Sequence, residues 1–274
     1  MTADPTVSIH PSQASLAAAV AARLITRLVD VQSVRGTATV VLTGGSIGTA
    51  ALQAVAESPA RTAVDWTNVH VWWGDERFLR ADDPDRNAVQ ARTALLDHVP
   101  VDPSKVHEYG TADRYEDENA AAVAYAEELA AAARAELDAG ATSEAHPDSG
   151  QVDPRLPRFD VLLLGVGPDA HVASLFPELA GIRTKGATTV GVPDAPKPPP
   201  QRISLTLEAI NTAEEVWLSV SGSDKAGAVG LALAGAGHVQ VPAAGARGQR
   251  KTLWLIDQDA AQKLPGRLID HDDD

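Results

Sequence analysis

Short apolar runs rich in valine, leucine and isoleucine alternate with helix-like segments along the whole chain. Residues 7–10 read as a strand. Pro11 and Ser12 then open an amphipathic stretch, with Leu16, Val20, Leu24, Leu28 and Val31 at helical spacing, which Gly36 ends. Residues 37–42 form a β-branched apolar run, read as a buried strand, and residues 50–56 read as a helix. Further strands are predicted at 69–73, 105–109, 159–164, 188–192, 202–207, 216–220 and 252–256. Helices are predicted at 87–98, 112–139 and 224–233, with Tyr115, Val123, Leu129 and Leu137 on the inner side of the long one. Trp72 and Trp73, adjacent in a strand, are expected to pack on its two faces.

Strand-then-helix order of this kind predicts an α/β fold. The expected form is a single-domain, doubly wound, mostly parallel sheet with helices on both faces, Rossmann-like in layout. With 274 residues the chain is long enough for one large domain, expected over 1–268. Residues 140–157, rich in Gly, Pro, Ser and Asp, predict a surface loop, and 269–274 an acidic tail.

Composition narrows the function classes. Lys plus Arg total 23 against 37 Asp plus Glu, a formal charge of −14, which argues against nucleic acid or an anionic membrane surface as partner. There are no cysteines, which removes disulfides, thiol nucleophiles and zinc–thiolate sites. No apolar run is long enough to span a bilayer, and the first residues lack the basic start and apolar stretch of a signal peptide. A soluble, cytoplasmic protein is the expectation.

In doubly wound sheets ligands bind beyond the carboxyl ends of the strands. Polar clusters fall at that edge: Gly44, Gly45 and Ser46; then Asp75, Glu76 and Arg77; then residues 165–171; then residues 221–225. The glycine pair with Ser46, between a strand and a helix, can turn backbone N–H groups toward an anion at a helix N-terminus, or can be a plain turn with a capping serine. The segment from Gly165 to Ala170 fits G-x-G-x-x-A, but Pro168 and Asp169 oppose a pyrophosphate there, and no acid follows at the usual distance. His171 suits proton transfer near pH 7 or, more plainly, satisfies backbone groups in its loop. Asp169 can hydrogen-bond the histidine or a substrate hydroxyl. The acids at 75, 76, 82, 83 and 85 lack calcium-loop spacing and a histidine cluster, so no metal is expected. Arg202 and Lys225 add cations at the same edge.

Taken together, these segments resemble the 6-phosphogluconolactonases, within the larger group that includes glucosamine-6-phosphate deaminase. Residues 165–177 carry the most specific match: Gly-Val-Gly-Pro-Asp-Ala-His-Val-Ala-Ser-Leu-Phe-Pro against the family's usual Gly-x-Gly-x-Asp-Gly-His-Thr-Ala-Ser-Leu-Phe-Pro. Residues 42–46, 73–77 with 85–87, 202–204 and 222–225 support it. Ala170 stands for a glycine, Val172 for a threonine and Arg86 for a serine, and Ile47-Gly48 replaces Thr-Pro. The resemblance implies hydrolysis of 6-phosphoglucono-1,5-lactone in the oxidative pentose phosphate pathway, without metal or organic cofactor, by a protein expected to be monomeric. It implies His171 as acid/base, and Arg77 as stabiliser of the oxyanion or of a hydroxyl. Gly44, Gly45, Ser46, Arg202 and Lys225 would hold the phosphate, and Asp75 and Asp169 would bind sugar hydroxyls or orient their neighbours. The deaminase branch carries a catalytic glutamate five residues after the histidine, where this chain has Phe176. A non-catalytic sugar-phosphate sensor is the other alternative, and His171 argues against it.

Overall fold

The computed structural model describes residues 4–139 and 153–264. Most of the expected loop at 140–157, and the whole expected tail, lie outside the described residues. Strand β1 (Thr6–His10) leads into helix α1 (Gln13–Arg35), whose first turn is capped by Ser12, with its Oγ accepting the Ser15 N–H at 3.2 Å. Gly36 stops the helix in the left-handed region, φ +79°. The five apolar residues expected on the inner face of α1 are all buried.

Strand β2 (Ala38–Leu42) is buried throughout. Helix α2 (Gly45–Glu57) starts at Gly45 rather than at residue 50, so the glycine–serine turn is its first turn. After β3 (Val69–Trp73), where both tryptophans are buried, residues expected in a loop instead form β4 (Asp75–Arg77). Helix α3 (Asn87–Ala94) ends in a short 3-10 turn. The strand expected at 105–109 is reduced to one bridge, Val71 to Val106.

Helix α4 (Glu118–Asp138) buries Ala121, Ala122, Tyr125, Leu129 and Ala133. Only one of the four residues expected on the inner face of this helix is found there. Leu129 is inside, but Val123 and Leu137 are 59% and 54% exposed, and Tyr115 precedes the helix. With alanine on every side, apolar periodicity selects no face. The face that packs against the strands Thr189–Val192 and Arg202–Leu205 combines alanines with Tyr125 and Leu129.

The remaining elements are β5 (Val161–Gly165), α5 (Ala180–Arg183), β6 (Thr189–Val192), β7 (Arg202–Leu205), α6 (Leu207–Ile210), β8 (Glu215–Val220), α7 (Ala226–Leu233) and β9 (Lys251–Asp257). The α/β class and the mostly parallel sheet are as expected. Six strands pair in the order β1-β9-β8-β5-β2-β3, all parallel, with α1 and α2 packed on each other and against the sheet. The strands at 188–192 and 202–207 do not join that sheet. They form a second, antiparallel sheet, β4-β7-β6, which packs against α4.

Gly74 makes the crossing between sheets. Its N–H donates to Leu42 O of the parallel sheet at 2.9 Å, and its carbonyl accepts the Leu205 N–H of the antiparallel sheet at 2.8 Å.

Charge closes the opposite edge of the parallel sheet. Buried Asp160 pairs with Arg35 and accepts the Thr39 N–H at 2.8 Å, and Arg158 pairs with Glu214 at 2.9 Å. These groups tie the starts of β2, β5 and β8 together and leave the strand ends free to carry loops.

On β3, His70 stacks on His107, and His107 stacks on Trp72 at 3.8 Å between ring centroids. Burial first, then the charges of His107 and Lys105, lower the pKa of His70 to about 4. The folded state therefore keeps His70 neutral while the unfolded chain protonates it near 6.5. Stability is expected to fall as pH drops from 6.5 toward 4. Denaturant unfolding of wild type and His70→Gln across that window checks this: the variant should lose less, and parallel profiles would remove His70 from the account.

Candidate active site

The loop after β5 is a tight turn, not a helix. Ala170 N–H donates to Gly167 O at 2.9 Å, and Gly167 N–H to His171 O at 3.0 Å. The turn lays two side chains together: His171 Nδ1 sits 2.6 Å from Asp169 Oδ1. Both lie over Gly167, where a Cβ would be 2.1 Å from the imidazole Nδ1 and 2.6 Å from the carboxylate. The second glycine of the G-x-G-x-x-A match thus makes room for an imidazole, and no helix follows to receive a pyrophosphate.

Ala170 holds φ +66°, a left-handed conformation that costs an L-residue about 1 kcal/mol. The turn bond and a second from Ala243 N–H to Ala170 O, at 3.0 Å, retain it. Val172 is fully buried, so the departure from threonine places a methyl group in the core.

Asp169 has a second partner. Lys197 Nζ, from the proline-rich turn, lies 3.1 Å from its Oδ1 and 3.5 Å from His171 Nδ1. Burial raises the Asp169 pKa, but the hydrogen bond and charge of His171 and those of Lys197 outweigh it. They hold the group well below the usual carboxylate range. An ionised carboxylate at this distance favours a proton on Nδ1, the ring nitrogen that faces it.

Strand β4 presents consecutive charges in different directions. Asp75, 6% exposed, accepts the Ser174 hydroxyl at 2.7 Å and so ties β4 to the histidine loop. Glu76 is buried and accepts three backbone N–H groups, of Arg77, Asn87 and Ala88, at 2.7 to 2.9 Å, with Arg86 Nε 3.6 Å away. Burial pushes its pKa up to about 7, against the pull of Arg86 and those donors. Arg77 reaches outward and donates to Asp85 O.

Arg77 lines a cleft of about 490 Å³ with Gly45, Ser46, Thr49, Pro198 and Pro199. Gly45 has φ +80° at the start of α2. Gly44 is a packing glycine, since a Cβ there would lie 1.9 Å from Asn87 Oδ1. Arg202 pairs with Arg77 across the antiparallel sheet but is 6% exposed. Lys225, on the β8 loop, donates to Ser221 O at 3.0 Å and pairs with Asp224 at 3.3 Å; it is not part of the cleft wall.

Of the residues expected to form a site, Gly45, Ser46 and Arg77 share the cleft, and His171 and Asp169 meet in the loop after β5, tied by Lys197 to the turn that forms its proline wall. Asp75 and Arg202 lie behind, Gly44 lies under Asn87, and Lys225 stands apart. Sequence reasoning passed over Lys197, whose only signal is a lone cation set among prolines. Ser174 and Asn87 stood in the matched segments without a role. Among the described residues, no group of three or more His, Asp or Glu side chains converges to hold a metal.

Residues 11–254 match the family model described as glucosamine-6-phosphate isomerases/6-phosphogluconolactonase. The chain is 53% identical over 270 residues to a 6-phosphogluconolactonase of Streptomyces coelicolor, covering 98% of each. It is 44% identical over 261 residues to one of Mycobacterium tuberculosis, covering 94% of this chain and 98% of the relative. The fold is similar to that of a solved 6-phosphogluconolactonase of Trypanosoma cruzi, with a TM-score of 0.78 at 21% identity over 96% of this chain and 98% of that one.

Gly167→Ala is expected to break the His171–Asp169 pair. Gly165→Ala is the control, because a Cβ there meets nothing within 4 Å. Imidazole nitrogen NMR of His171 should change in the first variant and not in the second; an unchanged spectrum in both would mean the loop absorbs the methyl group.

Proposed function

The chain belongs to the glucosamine-6-phosphate isomerase/6-phosphogluconolactonase family, and on that footing we propose that it hydrolyses 6-phospho-D-glucono-1,5-lactone to 6-phospho-D-gluconate, as a soluble cytoplasmic enzyme of the oxidative pentose phosphate pathway. The observation that carries the reading is the His171–Asp169 pair, tied by Lys197 to the proline turn that walls the cleft of Ser46 and Arg77.

In this reading Asp169 fixes the imidazole with Nδ1–H inward and Nε2 free. Nε2 takes a proton from water as its oxygen attacks C1. Negative charge develops on the carbonyl oxygen, and Arg77 is the cation placed to meet it or a neighbouring hydroxyl. The bond from C1 to the ring oxygen then breaks. Nε2–H returns the proton to that oxygen, which leaves the open-chain acid. The phosphate is assigned to the start of α2, where the N–H groups of Gly45 and Ser46, the serine hydroxyl and the helix dipole favour an anion.

Phe176 separates this chain from the deaminase plan. Its ring is buried and packs on His171, 4.6 Å between centroids, so the position offers an apolar support and no carboxylate.

The test uses freshly generated lactone, corrected for spontaneous hydrolysis. Wild type should accelerate it, and His171→Ala should lower kcat/KM by about a hundredfold or more while still binding 6-phosphogluconate. Turnover unchanged in His171→Ala would sink the acid/base assignment. Ser46→Ala should raise KM with little loss in kcat, and an unchanged KM would move the phosphate elsewhere.

A further inference from the structure

Arg202 stands in the sequence as a candidate phosphate ligand, yet two of its three guanidinium nitrogens are engaged inside the protein. Nε donates to Pro199 O at 3.0 Å, and Nη2 donates to Lys197 O at 3.0 Å and Pro198 O at 3.2 Å. Its Cζ lies over the Phe176 ring, 5.7 Å from the centroid, and the same ring packs on His171. One buried cation therefore reaches the histidine by two routes. Through Phe176 it backs the imidazole. Through the carbonyls of the turn it fixes the backbone from which Lys197 extends to Asp169.

Prolines shape what the clamp can hold. Residues 198–200 are all proline and have no N–H; Ala195 N–H closes the turn on Pro200 O at 2.9 Å, and the carbonyls of 197 to 199 are left for another donor. A guanidinium is the side chain with enough fixed donors to tie several at once. A lysine in the same place would supply charge without the fork.

We propose that Arg202 is a positioning residue for the His171–Asp169 pair rather than a phosphate ligand, and that Lys197 is the cation it positions, placed to neutralise the carboxylate that orients the imidazole. The inference rests on the lactonase reading. The charged groups facing His171 are Asp169 on its own loop and Lys197 from the turn; Arg202 lies beyond Phe176, with Asp75 and Arg77 near it. With Lys197 in place Asp169 orients the ring as one half of an ion pair. Without it, an unopposed carboxylate favours the imidazolium, which cannot act as a base.

Four variants separate the possibilities: Arg202→Lys, Arg202→Ala, Lys197→Met and Lys197→Arg, each checked for folding by thermal melting. In Arg202→Lys, kcat is expected to fall by about tenfold or more, because small misplacements of catalytic groups are costly. KM should move by less than about threefold, since the clamp is lost and ground-state binding is not. If Arg202 instead holds the phosphate, Arg202→Lys keeps kcat and Arg202→Ala raises KM alone, and the proposal is overturned. In Lys197→Met the acid limb of the kcat/KM profile should move to higher pH, and Lys197→Arg should bring it part of the way back. An unmoved limb in Lys197→Met removes Lys197 from the role even if Arg202→Ala fails to fold. A wild type that does not hydrolyse the lactone at all would fail the underlying reading, which is a different result from these.

Discussion

The peptide units at Gly74 join two sheets that would otherwise be independent layers. The N–H completes the end of the parallel sheet at Leu42, and the carbonyl starts the antiparallel sheet at Leu205. Because the chain changes sheets there, β4 runs back beside β7, and Arg77 falls opposite Arg202. Two guanidiniums side by side are costly unless each has separate partners. Arg77 turns outward to the cleft and the Asp85 carbonyl, and Arg202 turns inward to the proline turn. The same crossing brings Asp75 against Ser174, so the arginine strand and the histidine loop share one hydrogen-bonded junction.

Much of this was legible in the sequence, for physical reasons that can be named. Helix α1 was readable because its leucines and valines recur at a single helical spacing between a capping serine and a terminating glycine. The parallel strands were readable because burial on both faces demands unbroken apolar runs, as in β5. His171 and Asp169 were readable as neighbours because they stand two residues apart in a turn. The second sheet was not readable. Asp75, Glu76 and Arg77 look like a charged loop, and they form a strand only because backbone groups of residues 202–204, far along the chain, complete their ladder. Lys197 was hidden for the same reason, since its partner Asp169 lies 28 residues away and a proline-rich turn gives no sign of where it points. The inner face of α4 was illegible because alanine leaves periodicity flat.

The formal charge of −14 acquires a spatial meaning from the site. At physiological salt, fields from exposed acids fade within about 8 Å. A small anion is therefore governed by the groups it meets at close range: the start of α2, Arg77 and the exposed part of Lys197. Of the acids near these cations, Asp169 and Glu76 are engaged, and Asp85 lines the cleft beside Arg77. Asp169 is shared between two cations, and Glu76 is enclosed by backbone donors and Arg86. An acidic protein can in this way still meet a small anion with local cations and backbone donors.

The sheet order carries a consequence for how the chain is made. Strand β1 has a single neighbour in the sheet, β9, so Thr6–His10 finds its place only beside Lys251–Asp257. During synthesis the first strand leaves the ribosome long before its partner does, and it must wait through nearly the whole chain with an unpaired edge. The histidine loop is tied late as well, since Ala170 and Glu178 bond to Ala243 and Val239. A nascent chain that already contains His171, Asp169, Arg77 and Arg202 therefore still lacks the ties that order them. Contacts of such long sequence separation are the slow ones to form, so β1 and the histidine loop gain these ties only after residues 239–257 have been made.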